Sequence, residues 1–162
     1  MRESTDVLIE RGDLALAHCD QVCIAIPRGS ATSDLVTDIR RGMETLAKRY
    51  GDKGIALLFV VAETSSTPSG EARHEAGEMF DAMRPYLRVV SAQMEGSGFT
   101  AAAKRSVFTW ATSKMLGKTP VKTFARLSEA TAWLEVKCAE LRMPCPSRES
   151  LDALVRRIHP AR

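Results

Sequence analysis

The apolar positions of this chain switch between two periods, and the switches mark out its elements. Leu14-Ala15-Leu16-Ala17-His18 and Val22-Cys23-Ile24-Ala25-Ile26 are short apolar runs on either side of Asp20-Gln21. They predict two strands joined by a tight turn, which Pro27-Arg28-Gly29-Ser30 closes. Apolar residues then recur at Leu35, Ile39, Met43, Leu46 and Tyr50, the spacing of a helix buried along one stripe. Thr32 or Ser33 is placed to cap it, Asp34 sits in its electropositive first turn, and Gly51 and Gly54 end it. The run Ile55–Ala62 is apolar without alternation, which predicts a central strand covered on both faces.

A second helix is expected behind Thr67-Pro68, with Ala72, Ala76, Met79, Phe80, Met83 and Leu87 facing inward and Pro85 near its end. Val89–Met94 is the next strand, followed by a helix over 99–116. That helix is apolar on two sides: Ala103, Val107 and Trp110 on one, Phe108, Ala111 and Met115 on the other. Either two layers cover it or one side meets a partner. Pro120–Ala125 reads as an edge strand with Lys122 turned outward. Ser128 opens a helix carrying Ala130, Trp133, Leu134, Cys138 and Leu141. After the break at Met143-Pro144-Cys145-Pro146, Ser147 opens a last short helix with Leu151, Leu154, Val155 and Ile158 on one face. Residues 1–12 read as a weakly ordered lead-in, 13–143 as the folded domain and 144–162 as a C-terminal helix and tail.

Composition narrows the class. A chain of 162 residues with 44% hydrophobic and 27% charged residues suits one α/β domain with its own core. The net charge is only +3, with acidic residues spread among the basic ones, which argues against a nucleic-acid binder. No apolar run reaches the ~20 residues of a membrane span, and Glu10, Arg11 and Asp13 interrupt any signal-peptide core. Cys19, Cys23, Cys138 and Cys145 have neither zinc nor CxxC spacing. A cytoplasmic protein with reduced thiols is expected, and Cys19 should face Val22 across the turn.

Two strands empty into short polar loops that open helices, and such loops meet at the strand-end edge where open α/β sheets bind ligands. In the first loop, Glu63–Pro68, Ser65 and Ser66 are candidate phosphorylation or docking residues, with Arg73 and His74 one turn on; helix capping explains the same hydroxyls. In the second, Gly96, Ser97 and Gly98 are a candidate anion- or partner-binding turn, with Lys104 and Arg105 to add charge. A turn that needs glycine at positive φ explains it equally. The spacing is neither GxxxxGK[ST] nor GxGxxG. Glu63 and Glu95 both end strands at this edge. His18, His74 and His159 are scattered, with His74 facing water, and Ser97 lacks a G-x-S-x-G elbow. No catalytic residue, metal or cofactor is therefore assigned.

The order β-β-α-β-α-β-α-β-α resembles the STAS domain of bacterial anti-sigma-factor antagonists, and most nearly its SpoIIAA-like group. The residues that carry the resemblance are Ile26-Pro27-Arg28-Gly29, the strand Gly54–Ala62, Glu95-Gly96-Ser97-Gly98-Phe99 and the ending Phe124–Leu134. It implies a mixed sheet of about five strands plus a short C-terminal helix. It also implies a non-enzymatic regulatory domain that docks a signalling protein through the 63–68 and 95–99 loops, with Ser65 and Ser66 where the family's phosphorylated serines stand. Thr64 and Thr67 replace that pattern's Asp and Gly. The other reading is a small-molecule or lipid binder with an apolar cavity under the 99–116 helix, related to the lipid-carrying CRAL-TRIO proteins. A second copy of the chain is a further candidate partner.

Overall fold

The computed structural model describes residues 4–62 and 68–160. Six strands form one mixed sheet in chain order: β1 (Thr5–Glu10), β2 (Leu14–Cys19), β3 (Val22–Pro27), β4 (Ile55–Val61), β5 (Leu87–Met94) and β6 (Val121–Phe124). The first three pair antiparallel and β3 through β6 run parallel. The turn at Asp20-Gln21 sets Cys19 opposite Val22, as expected, with Asp20 at φ 48°.

The strand count is a correction, six rather than five. Thr5–Glu10, expected as a loose lead-in, is an edge strand on β2, with a bulge between Val7 and Ile9. The bulge sends Val7 to one face and both Leu8 and Ile9 to the other. Three apolar residues between Asp6 and Glu10 are too few to announce a strand; the pairing surface of β2 makes them one.

Among the described residues five α-helices cover the sheet: α1 (Ser33–Tyr50), α2 (Gly70–Met83), α3 (Gly98–Leu116), α4 (Leu127–Glu140) and α5 (Arg148–Ile158). One core joins Leu14, Leu16, Cys23, Leu57 and Val90 to the inner sides of α1 and α2. The other joins Ala15, Ile24, Ile26, Leu58 and Val89 to α4 and α5. Alternate residues of β4 thus feed opposite cores, which explains its unbroken apolar run. Thr32 caps α1 through Leu35 N (3.2 Å) and Ser147 caps α5 through Ser150 N (3.2 Å). Three expected boundaries move. The α2 cap is Ser69, accepting from Ala72 N at 3.1 Å, so Pro68 lies outside the helix. Leu87 opens β5 instead of closing α2. Arg126, without a side-chain bond, takes the α4 cap position given to Ser128.

The C-terminal segment is no appendage. Leu151, Leu154, Val155 and Ile158 are buried in the second core, and the Thr131 hydroxyl donates to Asp152 Oδ1 at 2.7 Å. Arg28 donates to the backbone carbonyls of Ile158 and Arg11. All four cysteines are free thiols, and burial pushes Cys23 up to about 12.

His18, on β2, is only 3% exposed, and its Nδ1 has no hydrogen-bond partner among the described residues. Burial holds its pKa below the usual value of 6.5, and Arg49 pushes the same way; the Asp20 backbone and the Asp6 and Asp20 carboxylates oppose them. Because the folded-state value is the lower one, unfolding takes up a proton as pH falls below about 6.5, so His18 erodes stability on that side and costs nothing above it. Urea midpoints at about pH 7.5 and pH 5.5 should therefore fall more on acidification for the wild type than for His18→Gln. Equal falls would show that His18 carries none of the acid sensitivity.

Candidate functional site

β3, β4 and β5 run parallel, so the chain leaves all three at one edge, and α1, α2 and α3 begin there. The edge is polar. Ser30, Ala31, Thr32, Ser33 and Asp34 at the start of α1 face Ser69 and Glu71 at the start of α2 across a cleft of about 520 Å³. Ser65, Ser66 and Glu63 lie outside the described residues, in the segment between β4 and α2.

The second loop is described. Gly96 and Gly98 hold φ of 119° and 86°, values that strain any residue with a Cβ. Ser97 is the residue before α3 and makes no side-chain capping bond. Arg105 turns back, and its Nη1 donates to the carbonyls of Met94 (3.2 Å) and Gly96 (3.1 Å). That nitrogen braces the loop from within. Lys104 is exposed on α3, away from these carbonyl contacts. Both glycines hold the positive φ that the turn requires, and the two cations part company. His74 is exposed on α2, as expected. A contact the sequence did not announce joins the far end of the chain to this edge: His159 Nε2 lies 3.9 Å from Glu95 Oε1.

The two apolar sides of α3 have different fates. The inner side packs. Phe108 stacks on Phe59 with ring centroids 5.9 Å apart, Thr112 and Leu116 are buried, and the Thr109 and Thr123 hydroxyls hydrogen-bond at 2.7 Å. These groups pack between α3 and the sheet. The outer side is bare. Phe99 is 89% exposed, and Val107 and Trp110 are each 65% exposed. With exposed Ala103 they lie at 99, 103, 107 and 110, one stripe along the helix. Between α3 and β6 runs a groove of about 490 Å³ lined by Arg105, Thr109, Trp110, Lys122 and Thr123.

This face also carries a charge pattern that whole-chain composition conceals. From Gly96 to Ser128 the chain has Lys104, Arg105, Lys114, Lys118, Lys122 and Arg126 and no acidic residue. The mixing of charges expected for the chain at large therefore fails in this stretch, and a sliding charge count would have found it. All six but Arg105 are exposed.

Comparison of the chain with models of known protein families, with curated proteins and with solved structures finds no match. What the fold establishes is an α/β domain with a six-stranded mixed sheet and helices on both faces. Among the described residues, no helix is long and apolar enough to cross a membrane.

Proposed function

We propose that this chain is a STAS-type regulatory docking domain of the bacterial cytoplasm, without catalytic activity of its own, that binds a signalling protein at the edge where α1, α2 and α3 begin. The observation that carries the reading is the cleft between the starts of α1 and α2, lined by Ser30, Thr32, Ser33 and Ser69, at the same strand-end edge from which β5 leads into the Gly96–Gly98 turn. Such an edge offers backbone N–H groups and hydroxyls to a partner's polar side chains while the sheet behind it stays rigid. The element order from β2 to α4 supports the STAS assignment, with β1 and α5 as additions at either end. Ser65 and Ser66 are the modification residues of this reading: a phosphate on either adds ~1.5–2 negative charges just ahead of α2 and changes what the cleft accepts.

A photo-crosslinking residue in place of Glu71, which is exposed and lines the cleft, tests this in cells of the source organism. The expected result is a covalent adduct with one protein at position 71 and none at Lys48, exposed on α1. The same adduct at both positions, or none at 71, removes the cleft as a docking site.

A further inference from the structure

The outer face of α3 contributes no residue to that cleft. We propose that the α3–β6 corner is a docking surface for an anionic lipid bilayer, with Phe99, Val107 and Trp110 entering the headgroup boundary and lysines engaging the lipid charge.

Three observations on one surface carry this. The apolar stripe stands on the outer ridge of a surface helix, a convex shape that lies on a plane more readily than it encloses another protein's side chain. Its side chains suit the boundary: Trp110 pairs a large apolar body with a polar N–H, and its ring lies under Lys114 Nζ at 5.2 Å from the centroid. The rim is cationic and dominated by lysine. Lys104 and Lys114 lie on α3, Lys118 follows it, and Lys122 stands on β6 across the groove from Trp110; Arg126 completes the set. Lysine is depleted at protein–protein interfaces, where arginine is enriched. At a bilayer its long apolar stem lies along the protein while the ammonium reaches the phosphates.

Charge decides among the occupants. A second copy docked α3 to α3 would set these cations against their own kind. An acidic surface matches them, and an anionic bilayer supplies it without requiring any pocket. On the flanking helices the charges are mixed, with Arg73 among Glu71, Glu78 and Asp81 on α2 and Glu129 at the start of α4, so the acid-free cationic surface is confined to α3, β6 and the turn between them. Each cation near an anionic surface strengthens binding about fivefold at low salt, and the attraction falls off within a Debye length.

The test is co-sedimentation of the full chain with phosphatidylcholine vesicles, alone or with phosphatidylserine at about 2:1. The expected result is binding to the mixed vesicles only, abolished by high salt and accompanied by a blue shift of Trp110 emission measured in a Trp133→Phe background. The pair Lys114→Glu and Lys118→Glu should weaken binding at least about tenfold. Val107→Ser with Trp110→Ser should remove it, while Lys48→Glu on α1 changes it much less. Lys48, Val107, Trp110, Lys114 and Lys118 are all exposed, so variants at them should keep the unfolding midpoint of their parent chain, which is measured alongside. The proposal is overturned if wild type stays in the supernatant with mixed vesicles, as it would if an acidic protein covers this face. It is equally overturned if Lys48→Glu weakens binding as much as the α3 pair. Neither outcome bears on the Glu71 crosslink, so the two readings fail separately.

Discussion

Ending the chain at Pro146 is expected to abolish the native fold. The truncation removes α5 and with it Leu151, Leu154, Val155 and Ile158, all buried against β2, β3, β4 and α4 in the second core. At roughly 1.5–3 kcal/mol for each fully buried aliphatic side chain, the loss is about 6–12 kcal/mol, comparable to the whole stability of a typical domain. The cut also strips partners from Thr131 and from Arg28, which donates to the Ile158 carbonyl. The exposed sheet face should bind a hydrophobic dye, and the cooperative urea transition should vanish. A truncated chain with the full-length midpoint would restore the boundary at 143 that the sequence implies and make α5 a detachable tail.

The second large effect is expected at the centre of the sheet. Leu58 on β4 is fully buried and points into the α4–α5 core, whereas its neighbour Leu57 points into the α1–α2 core. Leu58→Ala should cost about 2–5 kcal/mol, because the groups around the lost methyls are held by a strand paired on both sides and cannot collapse into the space. The urea midpoint should fall with an unchanged slope. Leu141→Ala, at a side chain 43% exposed beyond α4, supplies the contrast and should cost less than about 1 kcal/mol. Equal costs at the two positions would mean that β4 is not the hub of two cores.

Most of the element order was legible because each element carries its own period. The stripe Leu35–Ile39–Met43–Leu46 is buried as spaced, and Ile55–Val61 is the doubly covered strand that its lack of alternation demands. The misses share a cause. β1 is a strand through pairing, not composition. The start of α2 is set by the Ser69 hydroxyl, which accepts from Ala72 N, a choice that the spacing of the apolar stripe does not announce. Of the site residues, the positive φ at Gly96 and Gly98 was readable from glycine itself. The turn of Arg105 toward the Met94 and Gly96 carbonyls was not, since a guanidinium two turns into a helix reaches outward or backward at similar cost.

The sequence alone determined the periods, and through them the α/β class, the doubly buried β4 and the edge at which the helices begin. It also held an uninterrupted run of cations from Lys104 to Arg126, since charge is a property of residues and needs no fold to be counted. It could not choose between the two apolar sides of α3, because a helical period reports which residues share a side and not what lies against it. Only the tertiary structure decided that Phe108 stacks on Phe59 while Phe99, Val107 and Trp110 face out. α3 lies over the end of the sheet beside β6, with α2 on one flank and no further element over its outer side among the described residues. Burial is a relation between elements, and for this helix it was settled by its place in the layer.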